Sequence, residues 1–159
     1  MSDLNTIAPK TAMARLVRAI TALQDRELSQ LGLDLTAQQA AIVAYVDAEG
    51  AKSMGEIAAR IGVDPSVATR LVDRLETKGH AARSPHSEDR RAVQVSTTPE
   101  GSRVVAVAVP AINALKSRIF AGIADAEIEV FWRVLGAIES NVAAAAEEDP
   151  NRIDQPTDR

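Results

Sequence analysis

Three observations on the 159-residue sequence predict a mainly α-helical fold with a small β-hairpin. Between Ser53 and Gly101 two short amphipathic segments are divided by a glycine turn. A polar, arginine-bearing loop then separates two short strand-like runs, and long apolar helical patterns stand on either side of the block. Helix, tight turn, helix, hairpin is the order of a winged helix-turn-helix. The expected organisation is an N-terminal helix in 1–35 that contributes to dimerisation, a winged DNA-binding domain in 36–100, C-terminal dimerisation helices in 101–148, and a disordered tail in 149–159.

Over 9–31, Met13, Leu16, Val17, Ile20 and Leu23 recur at the three-four spacing of an amphipathic helix, and Gly32 is its stop. Arg15, Arg18 and Asp25 take the other side. A second helix opens at Thr36, which with Gln39 reads as a capping box, and runs through Ile42, Val43 and Val46 to Gly50. The third repeats the device with Ser53 and Glu56, buries Met54, Ile57, Ala58 and Ile61, and ends at Gly62. The fourth has Asp64 as N-cap and Pro65 in its first turn, where a missing N–H costs nothing, and closes at Lys78 and Gly79. Strands follow over 81–86 and 92–97, joined by a polar loop at 85–91. Thr98, Pro99 and Glu100 open a long apolar helix whose pattern extends from 104 towards 123, and Pro110 should kink it by deleting a backbone donor. A last helix begins near Asp125 and carries Ile128, Phe131, Val134, Leu135, Ile138 and Val142 into the alanines of 143–146.

Composition removes several classes of function. With no cysteine there is no disulfide, thiolate chemistry or Cys-ligated zinc. No apolar run approaches the roughly eighteen residues of a membrane span, and no compact signal segment follows a basic start, so a soluble, cytoplasmic protein with no membrane partner is expected. The two histidines, His80 and His86, lack the cluster spacing of a metal site. Neither a nucleophile elbow nor a glycine-rich phosphate loop is present, so no catalytic site, metal or cofactor is read and the chain is not taken for an enzyme.

Net charge is −4, which by itself argues against nucleic acid. The distribution reverses that inference, because between Lys52 and Arg91 eight Lys/Arg stand against six Asp/Glu while acid collects towards the C-terminus. Within this basic island the fourth helix puts Val67, Ala68, Leu71, Val72 and Leu75 on one side and Ser66, Thr69, Arg70, Asp73, Arg74 and Thr77 on the other. Short hydroxyls and arginines suit a major groove, although the same face reads equally as an ordinary solvated surface. A two-strand ribbon beside such a helix reaches the adjacent minor groove, whose potential attracts arginine; a charged hairpin tip is the plainer reading of the same loop.

The run from Leu75 to Gly101 has Leu75-Glu76 before Lys78-Gly79, Arg83 on the first wing strand, Asp89 with Arg91 at the wing tip, and Thr98 to Gly101 reading Thr-Pro-Glu-Gly. In this it resembles the signature of the MarR family of bacterial transcription regulators. His80, Thr97 and Pro110 depart from the usual pattern. The resemblance implies a homodimer with interlocked terminal helices and two winged domains on a pseudo-palindromic operator in double-stranded DNA. Carried over by position, it puts Arg91 in the minor groove with Asp89 as its support, Arg90 on phosphate, Ser66, Thr69 and Arg70 at bases, and Arg74 and Arg83 near the DNA backbone.

Dimerisation is also expected from the residues, because Ile112, Leu115, Ile119, Phe120, Ile123, Phe131, Trp132 and Leu135 offer more apolar surface than a small winged domain covers. A monomeric bundle is the alternative. The resemblance further implies a repressor released by a small aromatic or lipophilic anion bound near the first helix, where Arg15 and Arg18 could meet its charge or be merely solvated. Two other functions stay open: a winged module that dimerises or binds protein without reading DNA, and a piece of an enzyme, for which the nucleotide-binding half is missing.

Overall fold

A computed structural model describes the backbone of residues 4–85 and 93–148. The expected wing tip, with His86, Asp89, Arg90 and Arg91, and the tail at 149–159 lie outside the described residues. The order is α1 (Leu4–Gln30), α2 (Ala37–Glu49), β1 (Lys52–Ser53), α3 (Met54–Ile61), α4 (Pro65–Thr77), β2 (Ala81–Pro85), β3 (Val93–Thr97), α5 (Pro99–Ile119) and α6 (Asp125–Glu148). Contacts divide the chain into two units, 1–116 and 117–159.

Helix starts in the first unit are set by local hydrogen bonds. Thr36 Oγ1 accepts from Gln39 N while Gln39 Oε1 accepts from Thr36 N, a reciprocal capping box. Asp25 Oδ1 on α1 adds a third bond by accepting from Ala37 N at 2.6 Å, so a carboxylate from another helix meets the positive end of α2. Ser53 and Glu56 cap α3 in the same way. Asp64 is the N-cap of α4 as expected, but its side chain makes no capping bond; its carbonyl accepts from Val67 and Ala68 instead, and Pro65 removes one donor that would have needed a partner.

The sheet has three antiparallel strands in the order β1-β3-β2, where the sequence predicts a two-stranded hairpin. The added strand is only Lys52–Ser53, paired with Val95 and Gln94. In the hairpin Ala81 faces Thr97, Arg83 faces Val95 and Pro85 faces Val93. Because β3 is central, its Val95 is fully buried.

One core holds the winged region together. Ile42, Val43 and Val46 of α2 meet Ile57 and Ala58 of α3, Ala68, Leu71, Val72 and Leu75 of α4, Ala81 and Val95 of the sheet and Val104 of α5. Each large aliphatic so buried contributes about 1.5–3 kcal/mol of transfer free energy. A smaller cluster of Leu28, Ala40 and Ala108, with Leu33 and Ile112 against it, joins α1, α2 and α5.

Thr98 starts α5, and its hydroxyl works in both directions: it donates to Gly79 O at 2.6 Å and accepts from Gly101 N at 3.0 Å. Gly101 is buried, and a Cβ there would overlap the His80 carbonyl oxygen and fall 2.6 Å from Thr97 Oγ1. The Thr-Pro-Glu-Gly run is thus a cap, an N1 proline, an early acid and a close backbone crossing. His80 is less well served, since its Nδ1 is buried without a hydrogen-bond partner among the described residues. The α-helix continues through Pro110, whose ring sits on the exposed side and spares the core.

In the second unit, none of the described α6 side chains is fully buried. Trp132 packs edge-on against Phe131 with ring centroids 5.0 Å apart, and lies 6.0 Å from Phe120.

Candidate nucleic-acid interface

The turn between α3 and α4 fixes how α4 is presented. Gly62 takes the left-handed conformation at φ 70°, and the amides of Gly62 and Val63 return to Ala58 O at 3.0 and 3.1 Å. Ala58 is small and buried where the helices approach, and Val63 packs against the core. With Ala68, Leu71, Val72 and Leu75 anchored, the remaining face of α4 is committed to solvent: Ser66, Thr69, Arg70, Asp73, Arg74 and Thr77 are all exposed. Thr69 donates its hydroxyl proton to Pro65 O at 2.9 Å, which leaves the oxygen free to accept. Among the described residues no carboxylate pairs with Arg70 or Arg74.

Arg83 differs from those two arginines. From β2 its Nη1 donates to Asp73 Oδ1 at 2.7 Å and to Glu76 Oε2, its Nη2 reaches Thr69 O at 3.4 Å, and its backbone N donates to Glu76 Oε1 at 3.0 Å. Sequence reasoning named Arg83 for the DNA backbone and had no signal for this bonding, because Asp73 and Glu76 are ten and seven residues away across a turn.

Arg15 and Arg18 are exposed on α1. A separate cleft of about 370 Å³ opens between α1, α2, the end of α3 and α5, lined by Thr21, Gln24, Ala41, Arg60, Ile112 and Asn113 among others, and by neither of those arginines. Its cation, Arg60, lies 5.4 Å from the centre of the Tyr45 ring, a cation–π stack that restrains the guanidinium. Arg60 lies in the last turn of the third helix with no local pattern to single it out, so the sequence offered no pointer to it. Of the residues expected at the dimer interface, Leu115 is buried within the single chain, Ile112, Ile119, Phe120 and Leu135 are half-buried, and Ile123, Phe131 and Trp132 are exposed.

The model of the MarR family matches residues 33–92, which hold α2 to β2. The multiple antibiotic resistance protein MarR of Salmonella typhimurium is 34% identical over 106 residues, or 65% of this chain and 72% of that one. The chain belongs to the MarR family. Solved MarR-like structures agree in fold: the transcriptional regulator BldR from Sulfolobus solfataricus is 27% identical with a TM-score of 0.77, over 89% of this chain and 99% of that chain. BpsR of Bordetella bronchiseptica, whose structure concerns regulation of DNA binding by 6-hydroxynicotinic acid, is 23% identical with a TM-score of 0.74, over 82% and 91%. As a MarR-family chain the protein is a transcription regulator with a DNA-binding fold, and not an enzyme. Among the described residues no helix is long and apolar enough to cross a membrane.

Proposed function

We propose that the protein is a homodimeric, sequence-specific DNA-binding repressor that a small anionic ligand releases from its operator. The observation that carries the DNA reading is the outward face of α4. Ser66, Thr69, Arg70 and Arg74 are exposed on a helix whose opposite face is locked into the core, and neither arginine is spent on a described carboxylate. In this reading Ser66, Thr69 and Arg70 face base edges, Arg74 lies near phosphate, and the wing brings Arg91, supported by Asp89, to the minor groove with Arg90 on phosphate.

The homodimer is supported by apolar surface that one chain leaves uncovered: Met13, Leu16 and Val17 on α1, and Phe131, Trp132 and Ile138 on α6. The ligand reading is supported by the cleft beside Arg60, which joins an apolar lining to one restrained cation. That BpsR responds to an aromatic acid fits an anionic aromatic compound here too. Such a compound can relieve repression only if it binds the released conformation better than the DNA-bound one.

Binding to DNA fragments selected by the purified protein, titrated across salt concentrations, tests the reading. Arg91→Ala should weaken binding about ten-fold or more and reduce the salt slope by about one unit, whereas Arg70→Ala should also relax base preference. Salt-independent binding, or indifference to both substitutions, would favour a winged module that does not read DNA.

A further inference from the structure

We propose that Arg83 is a positioning residue: it joins the first wing strand to α4 so that helix and ribbon meet DNA as one body, and it acts through Asp73 and Glu76 rather than on a phosphate. The inference rests on the DNA-binding reading above and gives it an internal part.

Thr69, Asp73 and Glu76 lie at i, i+4 and i+7, hence in one row along two turns of α4, spanning about 10 Å of helix. Arg83 engages all three members of the row, the carboxylates through Nη1 and the Thr69 carbonyl through Nη2. Glu76 holds the strand twice, by the guanidinium and by the backbone N–H of Arg83. A planar guanidinium with five donors in a fixed fork can make this set; an ammonium cannot reproduce its geometry. The anchor on the sheet side is firm, because Arg83 is paired in register with the fully buried Val95.

Electrostatics points the same way. The two carboxylates lie on a helix that faces polyanionic DNA, and Arg83, with its side chain only 26% exposed, offsets charge that would otherwise repel phosphate. Thr69, whose carbonyl the fork reaches, also carries one of the exposed hydroxyls on the outward face of α4. Placement of the wing and the set of the recognition helix are therefore coupled through one side chain.

The test is a double-mutant cycle on the full-length protein with a selected DNA fragment, read as affinity and as salt slope, with thermal unfolding as a check on folding. Arg83→Gln should lose roughly ten-fold in affinity with the salt slope nearly unchanged. Glu76→Ala removes a negative charge, so simple electrostatics demands tighter binding; the strut demands weaker binding by a similar factor. The double variant should be no worse than either single one, and Arg83→Lys should recover only part of the loss. A drop of about one unit in the slope for Arg83→Gln would make Arg83 a phosphate contact and overturn the proposal. Tighter binding by Glu76→Ala, or additive losses in the double variant, would overturn it as well. If Arg83→Gln does not fold, Glu76→Ala alone still decides by its sign. Arg70→Ala, run in parallel, separates the two levels: insensitivity there counts against DNA reading itself, whereas sensitivity there with a failed cycle counts against the strut alone.

Discussion

A methyl group added to Gly101 has no room, because the His80 carbonyl and the Thr97 hydroxyl already occupy the space. Gly101→Ala should therefore cost about 1–3 kcal/mol, read as a lower urea midpoint with unchanged m-value. Retention of the wild-type midpoint would show that the backbone crossing is slack. The glycine is visible in the sequence as the end of Thr-Pro-Glu-Gly, but the reason for it is not, since His80 is far away along the chain. The same limit hid the bond from Asp25 to Ala37 and the partners of Arg83. Capping pairs such as Thr36 with Gln39 and Ser53 with Glu56 were legible because each is complete within four consecutive residues.

At the level of elements, helix existence followed from apolar spacing and the caps, and the turn at Gly62 followed from its place between two amphipathic segments. Strand β1 escaped notice because two residues carry no alternation to read; it exists only through pairing with Val95 and Gln94. Gly62 is a place where the helix pair can be weakened without touching its exposed face. Gly62→Ala forces a Cβ into the left-handed region and should destabilise the fold by about 1 kcal/mol, while the salt slope of DNA binding stays as in the unsubstituted protein. A changed slope would mean that α4 had been displaced as well as loosened.

For the whole molecule, the single chain leaves much apolar side-chain surface exposed. Val130, Phe131, Trp132, Val134 and Ile138 are each close to half exposed along α6, an arrangement more usual for an intersubunit core than for a free surface. Under the homodimer proposed above, Trp132→Glu combined with Phe131→Glu should shift sedimentation at micromolar concentration from dimer to monomer and weaken operator binding by orders of magnitude, since two half-sites could no longer be held together. A variant that still sediments as a dimer would place the interface elsewhere. The apolar excess was readable from composition and spacing alone; which side chains one chain already covers was not. Leu115, for instance, is 2% exposed before any second copy is considered.

Thr98 gives the fold a mechanical property. One hydroxyl group is hydrogen-bonded both to Gly79, just past the end of α4, and to Gly101 in the first turn of α5. The exit of α4 and the root of α5 are thus joined through a common side chain. A tilt of α5 at its base that leaves the end of α4 behind strains this bond, whose net worth is about 1 kcal/mol, together with the bond from Thr98 N to His80 O. The Thr98 side chain is a direct link from the root of α5 to the exit of α4, alongside the core contact of Val104.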